Sequence, residues 1–481
     1  MYFEILLSPR WQALLLSLSL SACASMPSDW GRAEVAQMTA ERGRELPKTA
    51  EAQAFTERIL RAPLTAEAAV QLALLNNPAV RLETARLGFA AAEVYDAGRL
   101  ANPVFSASRL TSDDASTRGA QVNLGIAVNF VNLLLMPANT RFAEAQFEAA
   151  KQDVAAATLD LAARVEAAWF AAVGAEQLAQ MREAAAQAQA ASANLSQRFF
   201  EAGNITRRAQ AMEQAAASRA RLDALSARAE AVATRSALNR LMGLDAGQSS
   251  WTLDARLAEP LADDDSPDAL QRLSLDSRLD LASLRSRARA IADRYGVARR
   301  TRLIGGVELG AEREREFDGS VNTGPTLALE LPLFNWGGGR TAAIKAALDE
   351  TEAELDARVL DVSNAVHLGA AQVAAAKARA EQYRSVLVPQ REVIVAEAQK
   401  EQNFMLIGIF ELILAQQQTY DAYAGYIEAV RDYWTARADL ARVVGRRLPS
   451  SAQAAEPTLD PADLLHPDDP APATHDHGGH H

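Results

Sequence analysis

The sequence predicts a mainly α-helical chain built as two similar halves, with a pair of β-strands in each half. Three observations carry this reading. Residues 64–108 and 266–310 share one pattern, a helix running into a strand. Residues 121–130, QVNLGIAVNF, alternate strictly between apolar and polar or small, the period of a strand with two unlike faces. After each strand pair, alanine-rich charged sequence continues for roughly sixty residues, about 90 Å as a helix.

Composition narrows the function classes. The chain has 481 residues and a net charge of -12, which argues against a nucleic-acid binder with its basic footprint. Aromatic residues make up only 6%, which suits long, closely packed helices better than one bulky core. The N-terminus reads MYFEILLSPRWQALLLSLSLSACAS. The apolar run Ala13–Leu20 is too short to span a membrane as a mature helix and reads as the h-region of a signal peptide, residues 1–22. It ends in Leu20-Ser21-Ala22-Cys23, which resembles a bacterial lipobox. That resemblance implies that Cys23, the single cysteine, is acylated and becomes the first residue of the mature chain. Ala24, where an Asp would retain the protein at the inner membrane, implies sorting to the outer membrane. The n-region departs from the pattern, since Glu4 offsets Arg10. No later stretch reaches the ~18 apolar residues of a transmembrane helix, so any membrane crossing must use a β-barrel.

The elements follow in order. Residues 23–60 form an N-terminal segment. The first repeat, 61–244, opens with a helix near 65–100 capped by Thr65. Strands 102–110 and 121–130 follow, joined by the turn-rich TSDDASTRGA. In the second strand Val122, Leu124, Ile126, Val128 and Phe130 share a face, opposite Gln121, Asn123, Gly125, Ala127 and Asn129. A long helix then runs from Thr140 to Ala202, a break follows, and a helix spans 206–242. A linker, 245–265, leads to the second repeat, 266–445. Its elements are a helix at 267–300 capped by Ser266, strands 303–314 and 326–333 around REFDGSVNTGP, a long helix from Thr341 to Gln402, and a helix at 408–445. In strand 326–333 Leu327, Leu329, Leu331 and Leu333 alternate with Ala328, Glu330 and Pro332. Such strands fit an outer-membrane barrel and equally a soluble hairpin lying on a core. Four strands cannot close a barrel, for which about eight is the minimum. A barrel therefore requires an oligomer. Three chains would give twelve strands and leave no exposed edge.

The lipobox and the repeated strand, long helix, turn and helix units carry a resemblance, together with the motifs NNPAV (76–80), AGNIT (202–206), LPLFNWGGGR (331–340) and NFMLIGIFELILA (403–415). Over residues 60–446 the chain resembles the TolC-like outer-membrane efflux channel family. The resemblance implies a fold that is mainly α with a transmembrane β-barrel. Three chains would form a homotrimeric twelve-stranded barrel, four strands from each, continued by a long α-helical periplasmic tunnel. It also implies a periplasmic adaptor and an inner-membrane efflux pump as partners, contact with outer-membrane lipid, no nucleic acid and no catalysis. No cofactor is implied beyond the lipid on Cys23.

In the family, the breaks between long and shorter helices are the periplasmic tips. Aligning the halves places Gly203 opposite Met405 and Thr206 opposite Gly408. The resemblance thus assigns Gly203, Asn204, Ile205 and Thr206, with Phe404, Met405, Leu406 and Ile407, to adaptor docking. Locking neighbouring hairpins together is the competing role for the apolar run. Glu411 matches a position where relatives carry an acid at the tunnel constriction. The second such acid is Leu414 here, and the first-half counterpart of Glu411 is Ala209. Arg207 and Arg208 are candidate partners for Glu411, and a solvated surface Glu is the plain alternative.

The tail, 446–481, is rich in Pro, Ala and Asp and reads as disordered. It ends in PDDPAPATHDHGGHH. Neutral imidazoles suit transition metals, so His475, His477, His480 and His481 form a candidate metal-binding group, although the spacing is not that of a preformed site. The group points to heavy-metal cations as cargo, in line with a resemblance to the metal-efflux branch. Drugs or other organic substrates form the second reading. A helical envelope lipoprotein without a pore is a third, which leaves the paired strands unexplained. His367 reads as a surface residue. The sequence carries no nucleophile–base constellation, P-loop or dinucleotide fingerprint, which argues against an enzyme.

Overall fold

The structure, a computed structural model, describes residues 29–47, 52–111, 119–245, 251–253 and 256–452. The signal peptide, Cys23 and the four tail histidines lie outside the described residues. In chain order the elements are α1 (Arg32–Ala40), α2 (Ala52–Leu60), α3 (Ala66–Asn76), α4 (Pro78–Ala97), β1 (Val104–Thr111), β2 (Ala120–Asn129), α5 (Phe130–Glu201), α6 (Arg207–Met242), α7 (Pro267–Ser277), α8 (Leu279–Arg300), β3 (Val307–Arg315), β4 (Val321–Leu329), α9 (Gly338–Gln382), a π-helical turn (Tyr383–Leu387), α10 (Val388–Asn403) and α11 (Ile409–Val444). They fall into two compact units, and the long helices pass from one to the other.

The first unit draws on residues up to 37, 82–155 and 279–359. Its centre is one antiparallel sheet in the order β1-β2-β3-β4. The two predicted strand pairs thus form a single sheet, joined through β2 and β3. The outer edges of β1 and β4 have no partner strand among the described residues. Several boundaries differ from the sequence reading: β3 begins at Val307 rather than at 303, and β4 begins at Val321, inside the segment expected to be loop. Phe130 is the first residue of α5 rather than the last of a strand, so the long helix begins ten residues before Thr140. Asn129 helps to start it, its Oδ1 accepting from the Asn132 N–H at 3.0 Å. β4 also ends early, at Leu329. Leu331 and Leu333 continue the alternation in sequence but not the ladder. Pro332 removes a donor there, and Asn335 Oδ1 takes the Gly337 N–H at 3.0 Å to form a turn.

The second unit draws on residues 38–81, 156–278 and 360 onward. Thr65 and Ser266 cap their helices as expected, and Thr206 does the same for α6; they accept from the N–H groups of Ala68, Ala269 and Ala209 respectively. The helix expected at 65–100 is two helices, divided at Asn77. Pro78 disfavours helical geometry in the residue before it. Asn77 fills the break by donating to Leu241 O at 2.7 Å and accepting from Ala79 N at 2.8 Å. The helix expected at 267–300 divides likewise at Arg278. The long helix of the second half is interrupted by the π turn, next to Pro389, whose missing N–H breaks the regular ladder.

Cross-helix bonds fix the lateral order α6-α5-α11-α10 within this unit. Ser192 donates to Glu213 at 2.7 Å between α5 and α6. Gln189 donates to Gln417 at 2.6 Å between α5 and α11. Tyr423 donates to Glu392 at 2.6 Å between α11 and α10. Helices α6 and α10 are therefore the outer members of the row. The segment between the repeats is bound along α11: Trp434 Nε1 donates to Ala258 O at 2.6 Å, and Arg437 reaches Asp264 at 2.7 Å. The core centres on Trp169, Met181, Leu238, Met242 and Trp251. Trp169 Nε1 bonds Leu64 O and Trp251 Nε1 bonds Asn239 Oδ1, so both buried indoles are satisfied.

Candidate functional site: two helical tips and a two-faced sheet

The tips are two copies of one backbone device. At the end of α5, Gly203 N bonds Phe200 O and Asn204 N bonds Phe199 O. At the end of α10, Met405 N bonds Gln402 O and Leu406 N bonds Glu401 O. Gly203 and Met405 occupy the left-handed region, at φ 77° and 60°. The next helices start four residues later, after Thr206 and Gly408. The proposed alignment of the halves is thus reproduced by the backbone. Only Gly enters the left-handed region without penalty, so Met405 holds a strained geometry that its counterpart avoids.

The two tips differ in what they display. Phe404, Met405 and Leu406 are 77%, 91% and 73% exposed, while Ile205 and Ile407 are half-buried. The apolar run is therefore not enclosed by the chain's own helices. Behind the exposed residues, Phe199 meets Phe410 edge-on at 6.2 Å between ring centroids, so the two hairpins touch just inside their tips. Glu411 is exposed, and among the described residues it forms no ion pair with Arg207 or Arg208. Leu414 on the same helix is also exposed.

Farther along α11, three phenols serve the packing. Burial pushes the hydroxyls of Tyr423, Tyr426 and Tyr433 well above the usual phenol range, and the neighbouring carboxylates of Glu392, Glu259 and Asp264 add to the shift. Among the described residues no cluster of His, Cys, Asp and Glu could hold a metal. His367 lies 3.1 Å from Gln271.

The sheet has two unlike faces, set by its register. On one face β2 carries Val122, Leu124, Ile126 and Val128, and the ladder aligns Phe105, Leu309 and Leu327 with them. On the other face Ser106, Gly125, Glu312 and Gly324 form one row and Ser108, Asn123, Glu314 and Asn322 the next. Glu308 also lies on this face, opposite Asn129. The polar face is crowded. A Cβ at Gly310 would stand 2.5 Å from Ile126 O and 2.7 Å from Thr326 Oγ1, and one at Gly125 would stand 2.6 Å from Ser106 Oγ. Along β2 the residues of the polar face are half-buried, whereas Leu124, Ile126 and Val128 on the apolar face are exposed. The sequence reading missed these three glutamates. Their signal was the run AEREREF, 311–317, in which acid and base alternate with the strand period. Beside the helical end of the sheet, Phe334 is fully exposed and Trp336 is 62% exposed.

No family model and no curated protein matches the sequence. Solved structures do match. The CmeC outer membrane channel of Campylobacter jejuni aligns with a TM-score of 0.65 at 18% identity, over 88% of this chain and 92% of CmeC. The outer membrane protein VceC of Vibrio cholerae gives 0.63 at 18%, over 79% of this chain and 96% of VceC. The open-state MtrE outer membrane channel of Neisseria gonorrhoeae gives 0.62 at 17%, over 81% and 91%. This chain therefore has the fold of those channels.

Proposed function

We propose that this chain, sharing the fold of outer-membrane channels, is the exit duct of a tripartite efflux system. It acts as a homotrimer that receives cargo from an inner-membrane pump through a periplasmic adaptor. One observation carries the reading: a four-stranded sheet, largely apolar on one face and polar on the other, with both edges unpaired among the described residues. Unpaired strand edges are untenable in lipid. Three copies joined edge to edge, β4 of one to β1 of the next, remove every edge and give twelve strands. The apolar face then meets lipid and the crowded polar face lines the lumen. Phe334 and Trp336 fall where an interfacial aromatic girdle belongs. Among the described residues no helix is long and apolar enough to cross a membrane. Acylation of Cys23 would add a second membrane anchor. The exposed Phe404, Met405 and Leu406 supply an apolar docking surface for the adaptor. Nothing in this scheme requires catalysis.

For cargo, the reading favours cations, heavy-metal ions among them. Glu308, Glu312 and Glu314 from each chain would line the lumen with carboxylates, which attract cations and repel anions. The histidine tail would bind transition metals. Growth of a strain lacking the protein separates the cargo classes, measured across Zn, Co, Cd, Ni, Cu and Ag salts and a panel of organic toxicants. The expected result is metal sensitivity rescued by the full chain. Rescue by a chain ending at Leu465 would remove the tail from the mechanism. Sensitivity to organic toxicants alone would overturn the cation reading.

A further inference from the structure

The apolar face of the sheet is not apolar throughout. At the end of the sheet where β1 joins β2 and β3 joins β4, the register places Arg109, Val122, Arg315 and Val321 in one row. In the next row, Arg313 stands between Leu124 and Thr323. The three arginines are exposed. Arg109 and Arg315 lie two strands apart, Arg313 and Arg315 two residues apart, and Arg109 and Arg313 on the diagonal, so about 7–12 Å separates their backbones. All the nearby acids of β3 point the other way. In the run Glu312-Arg313-Glu314-Arg315 each base takes the apolar face and each acid the polar one. Among the described residues no carboxylate pairs with Arg109, Arg313 or Arg315.

We infer that Arg109, Arg313 and Arg315 form a binding site for the phosphate groups of outer-leaflet glycolipid. The inference rests on the barrel reading, which turns this face toward lipid. An arginine on the lipid face is strongly unfavourable at the bilayer centre and nearly neutral at the interface. That gradient puts this end of the sheet at the headgroup level. The helices leave from the opposite end, so the arginines meet the outer leaflet. Guanidinium forks match phosphate oxygens in bidentate geometry. Three of them, with no carboxylate paired to them among the described residues, form a site for a headgroup carrying more than one phosphate. Their neighbours are Val122, Leu124, Thr323 and Val321.

The test uses the full chain, purified in mild detergent and titrated with bisphosphorylated lipid A and with the same lipid after phosphate removal. Each arginine at an anionic lipid surface contributes roughly fivefold. The triple variant Arg109→Gln, Arg313→Gln, Arg315→Gln should therefore bind bisphosphorylated lipid A roughly 100-fold more weakly. Glu308→Gln, on the polar face, should bind it unchanged. Millimolar inorganic phosphate should not compete, which would assign the site to lipid rather than to free phosphate. The inference is overturned by binding that survives in the triple variant within twofold, by equal affinity for the dephosphorylated lipid, or by full competition from inorganic phosphate. Failure of the barrel reading looks different. In that case the wild-type protein itself gives no heat-resistant trimer and no conductance in a planar bilayer, and the inference falls with it.

Discussion

Replacing Met405 by Gly should stabilise its tip and weaken adaptor binding at the same time. Met405 sits at φ 60°, where a side chain costs about 1–2 kcal/mol. Glycine removes that cost but adds unfolded-state freedom worth about 0.4–1 kcal/mol. The net gain is about 1 kcal/mol, a roughly fivefold shift in the local opening equilibrium. Little packing is lost, because Met405 is 91% exposed. The amide of Leu406, bonded to Glu401 O at 2.9 Å, reports the change by hydrogen exchange, which should slow about fivefold. Adaptor affinity should move the other way. Burying a Met side chain in a complex is worth about 1.5–3 kcal/mol, so Met405→Gly should raise the Kd about 10- to 100-fold. The mirror change, Gly203→Met, meets no atom within 4 Å of its Cβ and should cost about 1 kcal/mol through φ alone. Faster exchange in Met405→Gly together with unchanged adaptor affinity would refute the reasoning. Met405 would then be a packing residue and not a docking one.

Three further outcomes follow from the same structure. The hydroxyls of Tyr423, Tyr426 and Tyr433 are raised in the folded chain, so their contribution to stability is complete below the unfolded pKa near 10. It is lost as the pH rises further, by at most about 1.4 kcal/mol per phenol per pH unit. Denaturant unfolding at pH 9 and 11 should show that loss, and the triple Tyr→Phe variant should show a shallower one. Gly243→Ala should lower the stability by about 2 kcal/mol or more, read as a lower unfolding midpoint, since the residue has φ 71° and a Cβ would lie 2.7 Å from the Asn76 carbonyl. An unchanged midpoint would mean the α3–α4 break is free to move. Glu308→Gln with Glu312→Gln and Glu314→Gln should reduce cation preference, read as reversal potential in a salt gradient across a bilayer. An unchanged potential would remove these acids from the conduction path.

Local sequence exposed much of this architecture. Alternation in 121–130 gave a true strand because β2 has one apolar and one polar face along its whole length. Thr65 and Ser266 marked helix starts because their side chains meet the free N–H groups there. The match of Gly203 to Met405 held because the turn is specified by hydrogen bonds that any residue can make, at a cost in φ that Met405 accepts. Other features depend on the third dimension. The alternation of Leu327 to Leu333 runs past the end of β4, and pairing stops where Pro332 cannot donate. Pro137 looks like a helix stop but lies inside α5. The polar-face glutamates and apolar-face arginines of β3 become visible only when the register assigns them to faces. Glu411 drew attention by resemblance, yet its candidate partners Arg207 and Arg208 do not reach it within the described residues.

The central claim is that β1 and β4 of neighbouring chains pair to close a barrel. Cysteine pairs test it directly, with one cysteine at Ser106 or Ser108 on β1 and one at Gly324 or Thr326 on β4. Within a chain these positions are three strands apart, about 14 Å, too far for a disulfide. All four residues lie on the polar face, so one combination should bring the two thiols together across a β1–β4 seam. Oxidation in intact outer membranes, followed by denaturing gel electrophoresis without reductant, should yield covalent trimers. Single-cysteine controls should remain monomeric. Monomers alone across every combination would contradict the closed barrel and, with it, the proposed exit duct.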